Sequence, residues 1–468
     1  MLPSAAELVA HFLRSNGYTQ TLNSFVEEAD LPSDVGTGSD SLVTIESILQ
    51  EKKTFDLSLS FEKFGVDDTE RGWTNQAPVE PTVVGNLPNR SNILSVSVFD
   101  LVLPSATDIR QYIGVTTADR QFHLLDPSTP SLDLVHTYSS FQDSPILDIV
   151  PVDSTHLLIA SMSGKLTLFD TVNNTVLEER KDHSKYLVKL SIWSSDGNSL
   201  LVASAGWDAK IYLYQLDVSA EKPQLGDPIG TLALPSIPES TVFITLSGDS
   251  SPVLLVSRRD STFLHYYAVP SAESPAFTLV AKQNLAPHSN AWVAFTPSDV
   301  QICPTNPYLA AIATSSTPHM KLLVVKLLLP PTRSSVLDGE PSLGPDGTVT
   351  QVSQARAELL VAEKEEAAIL VNVSTLAPQT SYSTPRLVWR PDGSGVYVSS
   401  DDGMVRGIEA KSGKLVASLK AHEPGSKLRC LWAGHINRNH AEGLGSDDKT
   451  EYLISGGFDQ RLVLWSPS

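Results

Sequence analysis

Several residues of this chain are of types that carry chemistry, and each suggests a particular reaction or ligand. Asp182-His183-Ser184 sets the three side chains of a serine-hydrolase triad side by side. Triads are assembled in space from distant positions, and neighbours along an extended chain point in different directions, so His183 is expected in a structural role. His435, His440 and Glu442 offer three metal donors in one loop. Their spacing matches no familiar zinc pattern and no cysteine joins them, so a solvated loop is expected. Cys303, in Ile302-Cys303-Pro304, has no neighbouring base to activate its thiol and reads as a small buried residue. Gly344-Pro345-Asp346-Gly347 lacks the Lys-Ser/Thr and the receiving helix of a phosphate-binding loop. No catalytic residue, metal site or cofactor is therefore predicted.

What positions these residues follows from composition and repeats. With 468 residues, 41% hydrophobic and 19% charged, the chain can bury a large core. A formal charge of −19 repels phosphate backbones and anionic headgroups, so neither a nucleic-acid nor a membrane partner is expected. Two cysteines, Cys303 and Cys430, fit a reducing compartment. The start lacks a basic n-region and no apolar run reaches the ~18 residues of a membrane span, so a cytoplasmic or nuclear location is expected.

One pattern recurs along the chain: a β-branched run, a small-residue step, a tight polar turn, then an alternating strand ending in a large residue. Ser455-Gly456-Gly457-Phe458-Asp459 leading to Trp465 matches Ser204-Ala205-Gly206-Trp207-Asp208 leading to Tyr214. The same register fits turns at Asp119, Ser163, Asp260 and Asp402. A seventh hairpin falls between Leu309–Ala313 and Met320–Val325, around an eroded Ser/Thr/Pro turn. Turns at 119, 163, 208 and 260 are 44, 45 and 52 residues apart, a spacing of repeat architectures. One strand earlier, Trp193-Ser194-Ser195-Asp196-Gly197 and Trp389-Arg390-Pro391-Asp392-Gly393 predict a further turn, with Phe295-Thr296-Pro297-Ser298-Asp299 as a weaker copy.

These segments resemble the WD-repeat family, whose fold is a β-propeller, here with seven blades over residues 82–468. In that family a His, a Ser/Thr, the turn Asp and a Trp form a hydrogen-bonded network within each blade. The resemblance places His422, Ser455, Asp459 and Trp465 in one such network, and His183, Ser204, Asp208 and Tyr214 in another with Tyr for Trp. The repeats are divergent, since the only Trp-Asp dipeptide, Trp207-Asp208, sits in a turn. The last blade has three strands of its own. Pro81–Leu87 has strand composition without a nearby partner and is expected to supply the fourth, closing the ring.

Residues 5–29 differ, with apolar side chains in helical spacing interrupted by Gly17-Tyr18. Two short amphipathic helices joined by a tight turn are implied. The pattern Leu8, Phe12-Leu13, Gly17-Tyr18, Thr21, Phe25 and Glu28 resembles the lissencephaly-homology (LisH) motif, a dimerisation element. Some twenty-five residues cannot bury that many large apolar groups alone, because domains below about 40 residues usually need a partner or cross-link. A homodimer through Leu8, Phe12, Leu13, Tyr18, Leu22 and Phe25 is the expectation; docking of the helices onto the propeller is the alternative.

The predicted organisation is a LisH motif at 1–31 and a linker with short helices near 43–50 and 55–64 within 32–81. The propeller follows at 82–468, carrying a flexible insertion at 330–357 before a helical stretch from Ala355 to Ala368. The modules together imply a non-catalytic scaffold or adaptor whose propeller faces bind protein partners that the sequence does not identify. Alternatives are a substrate-recruiting ubiquitin-ligase subunit, a transcriptional corepressor component, and an enzyme with a site in the propeller channel.

Overall fold

A computed structural model describes residues 5–37, 44–46, 73 and 77–467, with gaps at 105, 140, 195–198, 219–222, 246–251, 272–273, 290–294, 330–350 and 437–449. The chain divides into two compact units, 1–71 and 72–468.

In the second unit, seven four-stranded antiparallel sheets form the blades of a propeller. Blades 1 to 6 each use four consecutive strands. Their innermost strands are Ile93–Leu101, Ile146–Pro151, Leu187–Ser194, Pro238–Thr245, Thr296–Cys303 and Leu387–Trp389, and that of blade 7 is Leu428–His435. These seven strands pack against one another in ring order, with blade 7 returning to blade 1. The second strands are almost wholly buried, as in Ser199–Gly206 and Pro252–Arg258, because both their faces meet neighbouring blades; hence their near-continuous apolar runs. The outermost strands are mostly exposed, as in Thr278–Asn284.

The fourth strand of blade 7 is β1, Glu80–Val83, paired antiparallel with Leu462–Ser466. Val84 extends it by donating its N–H to Leu462 and burying its side chain among Ile454, Leu462 and Leu464. The expected closing strand thus exists, beginning one residue earlier than predicted and ending sooner. Pro81 is tolerated because an outermost strand leaves one edge unpaired.

The turn between second and third strands repeats with one left-handed residue: Arg120, Gly164, Ala209, Gly403 and Gln460 all have positive φ. Each directly follows the residue on which the repeat was aligned, and pairing is symmetric about that residue, as in Ala205 with Ile211 across Asp208. Blade 4 departs from this. Val256 pairs with His265, so its hairpin is one residue longer and Asp260 itself takes the left-handed conformation. Blade 5 is likewise longer, with Ala313 opposite Leu322 across the cis Thr317-Pro318 peptide.

Another expectation is overturned. Phe295–Asp299 is no turn: residues 296–303 are one strand, with a bulge between Pro297 and Asp299. Asp299 lies inside the blade because its carboxylate accepts the N–H of Leu387 from blade 6, a tertiary partner that outweighs local turn propensity. In Trp389–Gly393 the turn forms, with Gly393 at φ 72°, while Ser195–Gly197 lie outside the described residues. A helix (Gln351–Ala368) starts four residues earlier than expected, its Ala, Glu, Gln and Leu content favouring helix from Gln351 onward. The rest of the insertion, 330–350, is outside the described residues.

In the first unit, α1 (Ala5–Ser15) and α2 (Thr19–Glu28) are joined at Gly17, whose φ is 76°. Their buried core is Ala10, Leu22 and Val35, flanked by Leu13, Phe25, Val26 and Leu31. Arg14 ties the following segment down by donating to the carbonyls of Ser33 and Val35. The helices expected at 43–50 and 55–64 lie almost wholly outside the described residues.

Candidate functional site

Blade 7 holds a directional hydrogen-bond chain. Trp465 Nε1 donates to Ser455 Oγ at 2.9 Å, Ser455 lies 2.8 Å from His422 Nε2, and His422 Nδ1 lies 2.9 Å from Asp459 Oδ2. Burial alone would raise the Asp459 carboxyl; bonds from His422 and from the N–H groups of Glu423 and Arg461 outweigh it and hold the group below its ordinary value. The carboxylate therefore keeps the imidazole proton on Nδ1, leaving Nε2 to accept from serine. Every member is satisfied, which ties the loop entering the blade to its hairpin turn.

Blade 3 brings His183 to Asp208 and to Ser204, each at 2.9 Å. Gly206 makes room: a Cβ there would stand 2.3 Å from His183 Nδ1. Tyr214 differs from the Trp it stands for, since its hydroxyl donates to Asp182 at 2.9 Å, which also pairs with Arg180. Asp182, His183 and Ser184 do not form a triad: the first two face separate partners, and Ser184 gives its backbone N–H to Asp208. His435 is exposed at a strand end, while His440 and Glu442 lie outside the described residues. Among the described residues no group of three or more His, Cys, Asp or Glu could hold a metal ion. Cys303 and Cys430 are both buried, and burial pushes the Cys430 thiol up to about 12.

The propeller's channel is lined by the innermost strands. At the start of the innermost strands a bulge recurs, and the residue it skips is Leu94, Leu147, Val188, Glu239, Ser298 and Arg429 in blades 1, 2, 3, 4, 5 and 7. In blade 6 Arg386 stands at the same end, opposite Ser399, its carbonyl accepting the Ser399 N–H and its own N–H donating to Ser399 Oγ. The bulge lies at the turn end of each blade, since Leu187 stands opposite Gly206 and Leu428 opposite Gly457. Leu94, Leu147, Val188, Arg386 and Arg429 line one cavity of about 110 Å³ in the channel. Its wall combines aliphatic side chains from blades 1 to 3 with the charged groups Asp148, Lys189, Asp299, Arg386 and Arg429.

Around the same end Tyr186 and Trp207 stack at 5.1 Å while remaining 40% and 37% exposed, and Phe458 is 44% exposed in the corresponding turn of blade 7. Exposed aromatic surface of this kind is enriched at protein interfaces. In the helical unit Leu22 is buried, Leu8, Phe12, Leu13 and Phe25 are half-buried, and Tyr18 is 53% exposed, with its ring 6.3 Å from that of Phe12.

Sequence reasoning missed Arg386, Arg429 and Glu239. Aligning the residues that open each blade, Ile93-Leu94-Ser95 through Leu428-Arg429-Cys430, would have shown one position changing from aliphatic in blades 1 to 3 to Glu239 in blade 4 and Arg429 in blade 7, with Arg386 outside that position. It missed Trp73 as well, read as connector. The Trp73 ring fills a notch over Gly395 and Gly407, 4.5 Å from the Arg390 guanidinium and edge-on to Tyr397, and the backbone N–H of Trp73 donates to the Glu409 carboxylate.

Two family models match the chain, one described as UCP007778, beta-propeller domain, over residues 98–436, and one as UCP007778, LisH domain, over residues 6–33. The chain is also similar to the uncharacterized protein YGR117C of Saccharomyces cerevisiae, 23% identical over 446 residues that cover 85% of each chain.

Proposed function

The chain belongs to the UCP007778 β-propeller family, and from that premise we propose that it is a non-catalytic scaffold or adaptor subunit that self-associates through its LisH helices and binds protein partners on the propeller. The helix pair carries this reading. Among the described residues it buries Ala10 and Leu22, with Val35 of the following segment, while keeping Leu8, Phe12, Leu13 and Phe25 partly accessible and Tyr18 exposed. A unit this small with that much unburied apolar surface is suited to a second copy, which would complete a four-helix bundle by isologous pairing. Dimerisation would present two propellers and raise avidity for a repeated or dimeric partner without any new contact.

Support for a binding role comes from the exposed aromatic side chains Tyr186, Trp207 and Phe458 at one end of the ring. The blades are best read as divergent WD repeats, on the strength of the His422–Ser455–Asp459–Trp465 chain and its partial counterpart in blade 3. No helix of the described residues is long and apolar enough to cross a membrane, and the net charge of −19 disfavours nucleic acid. The proposed boundaries are 1–31 for the dimerisation motif, 32–81 for the linker and 82–468 for the propeller, and the proposed location is cytoplasm or nucleus.

Sedimentation equilibrium of the intact chain against a chain beginning at Glu62 tests the core of the proposal. A dimer mass for the first and a monomer mass for the second is expected; monomer masses for both would refute self-association.

A further inference from the structure

The charged arc of the channel mouth has uneven pairing. Lys189 reaches Asp148 at 3.3 Å, Arg259 reaches Glu239 at 2.7 Å, and Arg386 has Asp299 at 3.9 Å, beyond hydrogen-bond range. Arg429 makes no hydrogen bond and no ion pair among the described residues, although its side chain is half-buried on the cavity wall. Burial and the neighbouring Arg386 lower its pKa to about 10, which still leaves it protonated at neutral pH. Two guanidiniums from adjacent blades therefore face one cavity, and neither carboxylate of its lining, Asp148 or Asp299, lies within hydrogen-bond range of them. A partly desolvated cation without a counter-charge is costly, and its cost persists only where something offsets it. The surplus stands out in a chain whose net charge is −19.

We propose that Arg386 and Arg429 form an oxyanion site at the turn-end mouth of the propeller channel, taking a carboxylate or phosphate group against the aliphatic wall of Leu94, Leu147 and Val188. Guanidiniums offer planar, forked donors that match both groups, and two converging forks can hold one anion through several charge-assisted bonds. The cavity of about 110 Å³ admits a single such group. Neighbouring carboxylates set its selectivity. Asp148 is occupied by Lys189 and by the N–H of Leu190, Glu239 by Arg259, and Asp299 by the N–H of Leu387, so the three negative charges point to partners other than the incoming anion. The anion has two sources, a free small oxyanion or an acidic side chain on a partner. The first stands whether or not the chain is an interaction subunit; the second rests on that reading.

The test uses the full chain at constant ionic strength, titrated with inorganic phosphate and separately with a tri-glutamate peptide, with calorimetric heat and unfolding temperature as readouts. Wild type and the exposed-surface control Arg90→Gln should bind at least one of them saturably. Arg429→Gln should weaken that binding by about tenfold or more, the loss expected for one charge-assisted hydrogen-bonded pair, and Arg429→Lys by less. Tighter binding of phosphate assigns the site to a free anion, and tighter binding of the peptide to an acidic partner chain. In chloride alone Arg429→Gln should unfold at the same or a higher temperature than wild type, since it removes an uncompensated cation; a purely structural arginine would give a lower one. Equal responses of wild type, Arg386→Gln and Arg429→Gln, or no saturable response in wild type, would overturn the proposal.

Discussion

Replacing Trp73 with alanine should loosen the propeller, and the size of the effect can be worked from the contacts. The variant removes a half-buried indole, an edge-to-face contact with Tyr397 at 5.5 Å and a cation–π contact with Arg390 at 4.5 Å. Full burial of such a ring is worth about 3–5 kcal/mol on truncation, so a half-buried one should cost roughly 2–3 kcal/mol. Gly407 supplies the sharper measurement. A Cβ at Gly407 would stand 2.7 Å from Trp73 Cη2 and 3.0 Å from Ala417 Cβ. With the indole in place, Gly407→Ala should destabilise by about 1–3 kcal/mol through overpacking. With Trp73→Ala in the background the main clash is gone, and alanine in a strand gains roughly 0.5 kcal/mol over glycine by lowering backbone entropy in the unfolded chain. Urea unfolding of the four proteins, followed by circular dichroism because fluorescence would change with the indole itself, should give a coupling energy of at least about 1 kcal/mol. Additivity within about 0.5 kcal/mol would mean that Trp73 does not occupy the notch.

Three further outcomes are expected. Val84→Asp places a carboxylate among Ile454, Leu462 and Leu464 and should cost about 3 kcal/mol, whereas Val83→Asp, 51% exposed on the other face of the same strand, should stay within about 0.5 kcal/mol. Matching urea midpoints for the two would exclude β1 as the closing strand. His265 is buried in blade 4, and burial together with Arg258 and Lys282 lowers its pKa to about 4. The unfolded chain takes up this proton near pH 6.5 and the folded one only near 4, so stability should fall by about 3 kcal/mol as pH drops through that window. His265→Gln should flatten the slope of unfolding free energy between pH 7 and 4.5, and an unchanged slope would refute the assignment; Asp208 and Asp459, held below their ordinary values, lose their contribution only at lower pH. Glu451→Gln strips the counter-charge from Arg390, which is 1% exposed and held by Glu451 through bonds of 2.6 to 3.2 Å. A loss of about 3–5 kcal/mol in chemical denaturation is expected, and a change below about 1 kcal/mol would show that the pair is not buried in solution.

The sequence by itself determined the repeating unit. Turn residues at fixed offsets from β-branched runs are local signals, so the hairpins at Asp119, Ser163, Asp208, Asp402 and Asp459 were legible one by one, and with Asp260 and the eroded turn between Ala313 and Met320 they implied seven blades. The two amphipathic helices were legible for the same reason, because helical spacing and the Gly17 break lie within one short window. Tertiary structure decided what depended on contacts far apart in the chain. Asp299 lies in a strand because Leu387, 88 residues later, offers it an N–H. Trp73 belongs to the propeller because two glycines of blade 6 leave room for its ring. Tyr214 turns to Asp182, whose position depends on Arg180. The channel mouth is the clearest instance: Arg386 and Arg429 are unremarkable alone, 43 residues apart, and share one cavity only because the first strands of adjacent blades pack side by side. Periodicity fixes which residues are hairpins and which face inward; only the packing of blade against blade fixes which inward residues meet.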